Sequence, residues 1–102
     1  MGQRQSSTAA QMRRLIWSPD ALNDLIDIQQ YLSGFNPAAA ARFFIRLKAA
    51  GESLADYPDR GRPIGRGRRE LVIVRPYIIR YVVLSDEVRI MTVRHSAMKP
   101  KP

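Results

Sequence analysis

No cysteine occurs among the 102 residues, so neither a disulfide framework nor a thiolate zinc site can hold the chain together, and its fold rests on a hydrophobic core. Histidine is nearly missing too. His95 stands alone, which excludes a zinc cluster of histidines and leaves any serine triad with a single candidate base. No Gly-x-Ser-x-Gly elbow supplies a nucleophile. No apolar run approaches the ~20 residues of a membrane-crossing helix, and the polar opening of the sequence lacks the apolar stretch of about 7–15 residues that a signal peptide needs. These absences lead to the expectation of a cytoplasmic domain with no membrane contact, no metal and no cofactor.

Acidic residues are scarce in one half only. Residues 1–59 hold six Lys/Arg and six Asp/Glu, whereas residues 60–102 hold eleven basic residues against Glu70, Asp86 and Glu87, so the whole net charge of +8 lies in the second half. Such asymmetry points to an anionic partner. Lysine is rare, with only Lys48, Lys99 and Lys101, and the arginine that replaces it suits bidentate contact to carboxylate or phosphate. The densest stretch is Asp59-Arg60-Gly61-Arg62-Pro63-Ile64-Gly65-Arg66-Gly67-Arg68-Arg69-Glu70. It has no Gly-Lys-Ser/Thr ending and runs from helix to strand, the reverse of a nucleotide loop.

The length allows one domain, with room to bury roughly 60–65% of the surface of the unfolded chain. Residues 1–11 show no periodicity and are expected to form a flexible leader, residues 12–98 the folded domain and residues 99–102 a tail. Arg13 to Trp17 is β-prone. Ser18-Pro19-Asp20 then opens a helix, with a serine cap, proline in the first position and an acid at the positive end of the dipole. Ala21, Leu22, Leu25, Ile28 and Leu32 form its apolar stripe, and Asp20, Asp24 and Asp27 lie opposite, where three carboxylates read as a solvated or partner-facing side rather than a metal site. Asn36-Pro37 opens a second helix, striped by Ala40, Phe43, Phe44, Leu47, Gly51 and Leu54, and Tyr57-Pro58 stops it. The arginine stretch follows as a loop. Three β segments come next, Glu70 to Arg75, Tyr77 to Leu84 and Glu87 to Arg94, joined at Arg75-Pro76 and Ser85-Asp86.

The order β-α-α-β-β-β predicts an α+β fold, a helical hairpin packed on one face of a mostly antiparallel four-stranded sheet. Alternation in Tyr77-Ile78-Ile79-Arg80-Tyr81-Val82-Val83-Leu84 sets Arg80 opposite the tyrosines, and a charge there must reach solvent, a ligand, or a carboxylate such as Glu70 or Glu87. His95, just past the last strand, is either a strand-end residue bonded to backbone or part of a functional surface.

Four ordered pieces, Trp17 to Ile28, Asn36 to Ala40, Arg69 to Val72 with Pro76 to Tyr81, and Val93-Arg94-His95, resemble the ParE branch of the RelE/ParE toxins over about residues 12–96. The resemblance implies the same fold. It also implies a toxin of a type II toxin–antitoxin pair, held inactive by a cognate ParD-like antitoxin whose C-terminal segment wraps it. ParE-like toxins act on DNA gyrase, and RelE-like relatives cut messenger RNA on the ribosome. In the gyrase reading the chain is not an enzyme, and Arg60, Arg62, Arg66, Arg68, Arg69, Arg80 and Arg94 supply the target surface. In the RNA-cleaving reading His95 carries the proton beside Arg68 and Arg80, since arginines stay protonated and make poor bases. The RelE branch uses a C-terminal tyrosine, and Ser96-Ala97-Met98-Lys99-Pro100-Lys101-Pro102 contains none, which favours gyrase. A third reading, a general nucleic-acid-binding module, rests on charge alone and predicts steep salt dependence.

Overall fold

Two helices begin with the same device. In the computed structural model, which describes residues 13–73 and 77–95, the Ser18 hydroxyl accepts from the Ala21 N–H at 3.0 Å, ahead of α1 (Pro19–Ser33). Asn36 Oδ1 accepts from the Ala39 N–H at 3.1 Å ahead of α2 (Pro37–Glu52). Each cap satisfies a first-turn donor, and the proline behind it sits where no donor is needed. The helices pack on each other across the short link Gly34-Phe35-Asn36. Ala21, Leu25 and Ile28 face inward from α1, and Ala40, Leu47 and Gly51 from α2. Leu22, expected in the core, is 47% exposed, because it stands a quarter turn from Ala21 at the margin of the stripe.

The sheet has five strands rather than four. They are β1 (Arg14–Trp17), β2 (Arg62–Gly65), β3 (Arg68–Val72), β4 (Tyr77–Val83) and β5 (Glu87–His95), in the spatial order β1-β5-β4-β3-β2. β1 pairs with β5 in parallel, and the other three pairs are antiparallel. The additional strand is β2, inside the stretch expected to be a loop. All four of its residues are exposed, so it carries no apolar alternation, and Pro63 is tolerated because β2 lies at the sheet edge. Gly65 faces Arg68 across the ladder, leaving Arg66-Gly67 as the turn, with φ of 56° and 74°. Positive φ at both positions matches the right-handed twist of the flanking strands and is the type I′ pattern. The Ser85-Asp86 link is the tight hairpin expected, closed by Leu84 N–H donating to the Glu87 carbonyl at 2.8 Å. The expected link at Arg75-Pro76, residues 1–11 and the tail at 99–102 lie outside the described residues.

The core lies between the helices and one face of the sheet. Tyr77, Ile79 and Tyr81 of β4 and Val88, Ile90 and Val93 of β5 point into it, with Leu71, Leu47 and Leu54. Each large apolar side chain so buried contributes about 1.5–3 kcal/mol. Gly51 lets α2 approach closely, since a Cβ there would lie 2.6 Å from the Trp17 ring. Tyr81 is fully buried and uses its hydroxyl twice, donating to the Pro58 carbonyl at 2.6 Å and accepting from the Gly61 N–H at 2.8 Å. That pair of bonds ties the 3-10 turn Pro58–Arg60 and the entry to β2 onto the core.

Candidate functional site

Alternation along the paired strands decides which charges share a side. The helices occupy the face shown by Ile79 and Tyr81, so their neighbours Ile78, Arg80 and Val82 look the other way. Register carries this face across the sheet. Glu70 and Arg68 on β3 stand beside Arg80 and Val82, Arg62 on β2 beside Glu70, Arg89 and Arg94 on β5 beside Val82 and Ile78, and Arg14 on β1 beside Glu87. The side away from the helices therefore gathers Arg14, Arg62, Arg68, Arg80, Arg89 and Arg94 around two carboxylates, with apolar residues between them.

The two glutamates are buried and each is held between arginines. Glu70, 9% exposed, accepts from Arg62 Nη2 at 3.0 Å and from Arg80 Nε at 2.6 Å. Glu87, 7% exposed, lies 3.4 Å from Arg14 Nη2 and 2.6 Å from Arg89 Nη2. Arg62, Glu70 and Arg80 are direct cross-strand neighbours, the spacing at which side chains on one sheet face interact. Burial acts to raise the Glu70 pKa, but the hydrogen bonds and charges of Arg80 and Arg62 outweigh it and hold the carboxyl below its ordinary value. Each carboxylate balances only one of its two arginines. The side chains of Arg62, Arg14 and Arg80 remain 78%, 68% and 52% exposed, so each clamp fixes guanidinium groups in position while leaving them open to an outside anion.

The structure divides the expected target residues. Arg62, Arg68, Arg80 and Arg94 come together on this face, and Arg66 is exposed at the tip of the β2–β3 turn. Arg60 and Arg69 lie off this face. Arg60 Nη1 donates to Ser53 Oγ at 2.6 Å. Arg69 shares the Tyr81 side of β3, where Nη1 donates to the Gly61 carbonyl at 2.6 Å and Nη2 lies 3.6 Å from Asp59. Arg14 and Arg89 were missed by sequence reasoning, although the alternation Glu87-Val88-Arg89 carried the signal for the second. His95 stands with Tyr77 on the helix side, their rings edge to face at 5.1 Å. The sheet thus separates His95 from Arg68 and Arg80. Among the acids of α1, Asp24 is not simply solvated, because its Oδ2 accepts from the Val93 N–H at 2.9 Å.

Among the described residues no three His, Cys, Asp or Glu converge where a metal ion could sit, and no described helix is long and apolar enough to cross a membrane. Chemically, the arginine face can bind and orient a phosphate- or carboxylate-bearing partner.

Comparison with known proteins agrees with this architecture. A chain of the solved "Chromosomal ParDE TA system from P. aeruginosa" shares the fold with a TM-score of 0.73 and 24% identity, over 83% of this chain and 97% of that one. "Toxin RelE2" of Caulobacter vibrioides is 48% identical over 86 residues, 84% of this chain and 98% of the relative. "Putative toxin Y4kP" of Sinorhizobium fredii is 44% identical over 87 residues, 82% of this chain and 88% of the relative. The family profile described as "ParE toxin of type II toxin-antitoxin system, parDE" matches residues 15–100. With a match across most of its length and relatives this similar, the chain belongs to the ParE toxin family of type II toxin–antitoxin systems.

Proposed function

We propose that this toxin inhibits DNA gyrase by binding it through the arginine face and that a cognate antitoxin with an acidic segment neutralises it by covering the same face. The observation that carries the reading is the separation of His95 from the arginines. RNA cleavage needs a proton carrier beside the groups that stabilise the phosphorane. Here the one histidine lies against Tyr77 on the helix side, and arginine side chains, such as those opposite, are poorly suited to act as bases. A binding surface needs no such pairing. Clamped, half-exposed guanidinium groups with apolar residues between them suit a macromolecular partner, and arginine is enriched among residues that dominate binding energy.

Supercoiling by purified gyrase is the test, with DNA cleavage products scored in the same reaction. The toxin is expected to inhibit, and Arg68→Glu, on the same face but exposed and outside the two carboxylate clamps, to abolish inhibition while the protein stays folded. Undisturbed supercoiling at every toxin concentration would sink the proposal. If ribosome-bound message is cut instead and His95→Ala stops the cutting, the chain acts in the manner its RelE-named relatives evoke.

A further inference from the structure

β5 reads Glu87-Val88-Arg89-Ile90-Met91-Thr92-Val93-Arg94-His95. Strict alternation cannot place its two arginines on one face, because Arg89 and Arg94 are separated by an odd number of steps. An unbroken strand with Arg89 outward would send Arg94 toward the core and Val93 to solvent. The structure avoids this with one extra residue. Arg80 faces Thr92 while Tyr81 faces Ile90, so Met91 has no partner on β4. This is a β-bulge, a feature that re-aims the side chains beyond it. Val88, Ile90 and Val93 are all buried as a result, and Arg94 joins Arg89 and Arg80 on the open face.

The bulge is held from α1. β1 ends at Trp17, so this side of β5 loses its strand partner just where Met91 lies. Ser18 continues the edge, its N–H donating to the Ile90 carbonyl at 2.9 Å and its Oγ donating to the Met91 carbonyl at 2.9 Å. The same oxygen accepts from the Ala21 N–H, so one hydroxyl caps the helix and fixes the bulge. One helical turn further on, Asp24 Oδ2 accepts from the Val93 N–H at 2.9 Å, a donor that a strand edge would otherwise leave unmatched.

We infer that Asp24 and Ser18 are positioning residues for the arginine face: by pinning the Met91 bulge they set the register that turns Arg94 outward beside Arg80 and Arg89. The inference rests on the reading of that face as the target surface. It assigns Asp24 a local task, accepting one hydrogen bond, in place of a general contribution to the acidic side of α1. An amide oxygen can do the same, so Asp24→Asn should preserve the register and Asp24→Ala should lose it.

The experiment is NMR of the full chain, following amide exchange at Val93 and the Nε–H signals of Arg80, Arg89 and Arg94 during titration with a short duplex DNA as polyanion probe. In the unmodified protein the three arginine signals are expected to shift together. In Asp24→Ala, Val93 should exchange about ten- to a hundredfold faster, as expected when a hydrogen bond to a charged acceptor is lost. Arg94 should then drop out of the response while Arg80 and Arg89 still shift, and Asp24→Asn should restore it. If Asp24→Ala does not fold, Ser18→Asp gives a second route, since it keeps an acceptor for the Ala21 N–H but cannot donate to the Met91 carbonyl. An Arg94 signal that ignores the probe in the unmodified protein, or that responds undiminished in these variants, overturns the inference. Gyrase assays separate the two failures. If Arg68→Glu leaves inhibition intact, the gyrase reading falls, and the NMR response alone decides the register.

Discussion

Replacing Tyr81 with phenylalanine removes a single oxygen and strands two backbone groups at once. The hydroxyl bridges the Gly61 N–H and the Pro58 carbonyl at 2.8 and 2.6 Å, and the residue is fully buried, so the ring would still fill its place. A buried backbone group left without a partner costs about 1–3 kcal/mol. With two such groups, and water admitted at the margin of the turn, the net loss should be about 2–4 kcal/mol, a large share of the 5–15 kcal/mol typical of a small domain. That corresponds to a fall in Tm of roughly 10–25 °C. Urea denaturation followed by the fluorescence of Trp17, the sole tryptophan, would measure it. A second signature lies at high pH. Burial pushes the Tyr81 pKa above its ordinary value of 10.0, against the opposing hydrogen bond from Gly61 and the charge of Arg69. The fold therefore favours the neutral phenol, and this contribution is complete below pH 10 and lost as pH rises through the folded-state pKa. Tyr77 is raised as well, mainly by burial, so Tyr81→Phe should flatten the alkaline loss of stability only in part. A cost below about 0.5 kcal/mol, within the range of an ordinary surface change, would refute the view that this hydroxyl anchors the turn.

Other perturbations follow from the same packing. Gly51→Ala should destabilise by about 1–2 kcal/mol, the clash with the Trp17 ring at 2.6 Å exceeding the gain of roughly 1 kcal/mol in helix propensity; an increase in the urea midpoint would contradict this. Arg66→Gly should raise stability by about 0.5–1 kcal/mol by relieving the positive φ of 56°, and it should weaken target inhibition if the turn tip touches the target. Both are read by pairing thermal melts with the supercoiling assay. The lowered Glu70 pKa means that the folded state favours the ionised carboxyl, so stability should be complete above the ordinary value of 4.5 and decline as pH falls below it. Glu70→Gln should make that acid limb shallower, and an unchanged limb would show that the clamp contributes nothing.

The helices were legible because their signals are local. A capping side chain, a proline behind it and a stripe of apolar residues specify Ser18 onward and Asn36 onward without reference to the rest of the chain. Alternation in β4 equally placed Arg80 away from the tyrosines, and the expected carboxylate partner proved to be Glu70. β2 was hidden because every one of its residues is exposed, so its identity as a strand comes from its partner β3 and from the turn. The parallel pairing of β1 with β5 joins residues more than 70 positions apart, a relation that no local pattern records. The arginine face was half legible for a related reason. Counting charge found the basic half, but only register could place Arg69 on the helix side and bring Arg14 and Arg89 onto the arginine face. Asp24 was misread because its partner is a backbone N–H exposed by a bulge, and periodicity alone cannot see a bulge.

The place of β5 in the sheet has a consequence for how this chain comes to be folded. The strand that sits between β1 and β4 is the last of the described strands to be synthesised. Before it is made, β2, β3 and β4 can pair as consecutive hairpins and the two helices can meet, but β1 has no neighbour and α1 lacks the strand it packs on. Closing the sheet must bring together distant parts of the chain, the kind of step that is slow in folding. Arg14 meets Glu87, and Arg89 and Arg94 join Arg80 of β4 on one face, only in that step. A nascent or truncated chain therefore does not carry the surface proposed for the target, and the activity and the folded state of this toxin arise together.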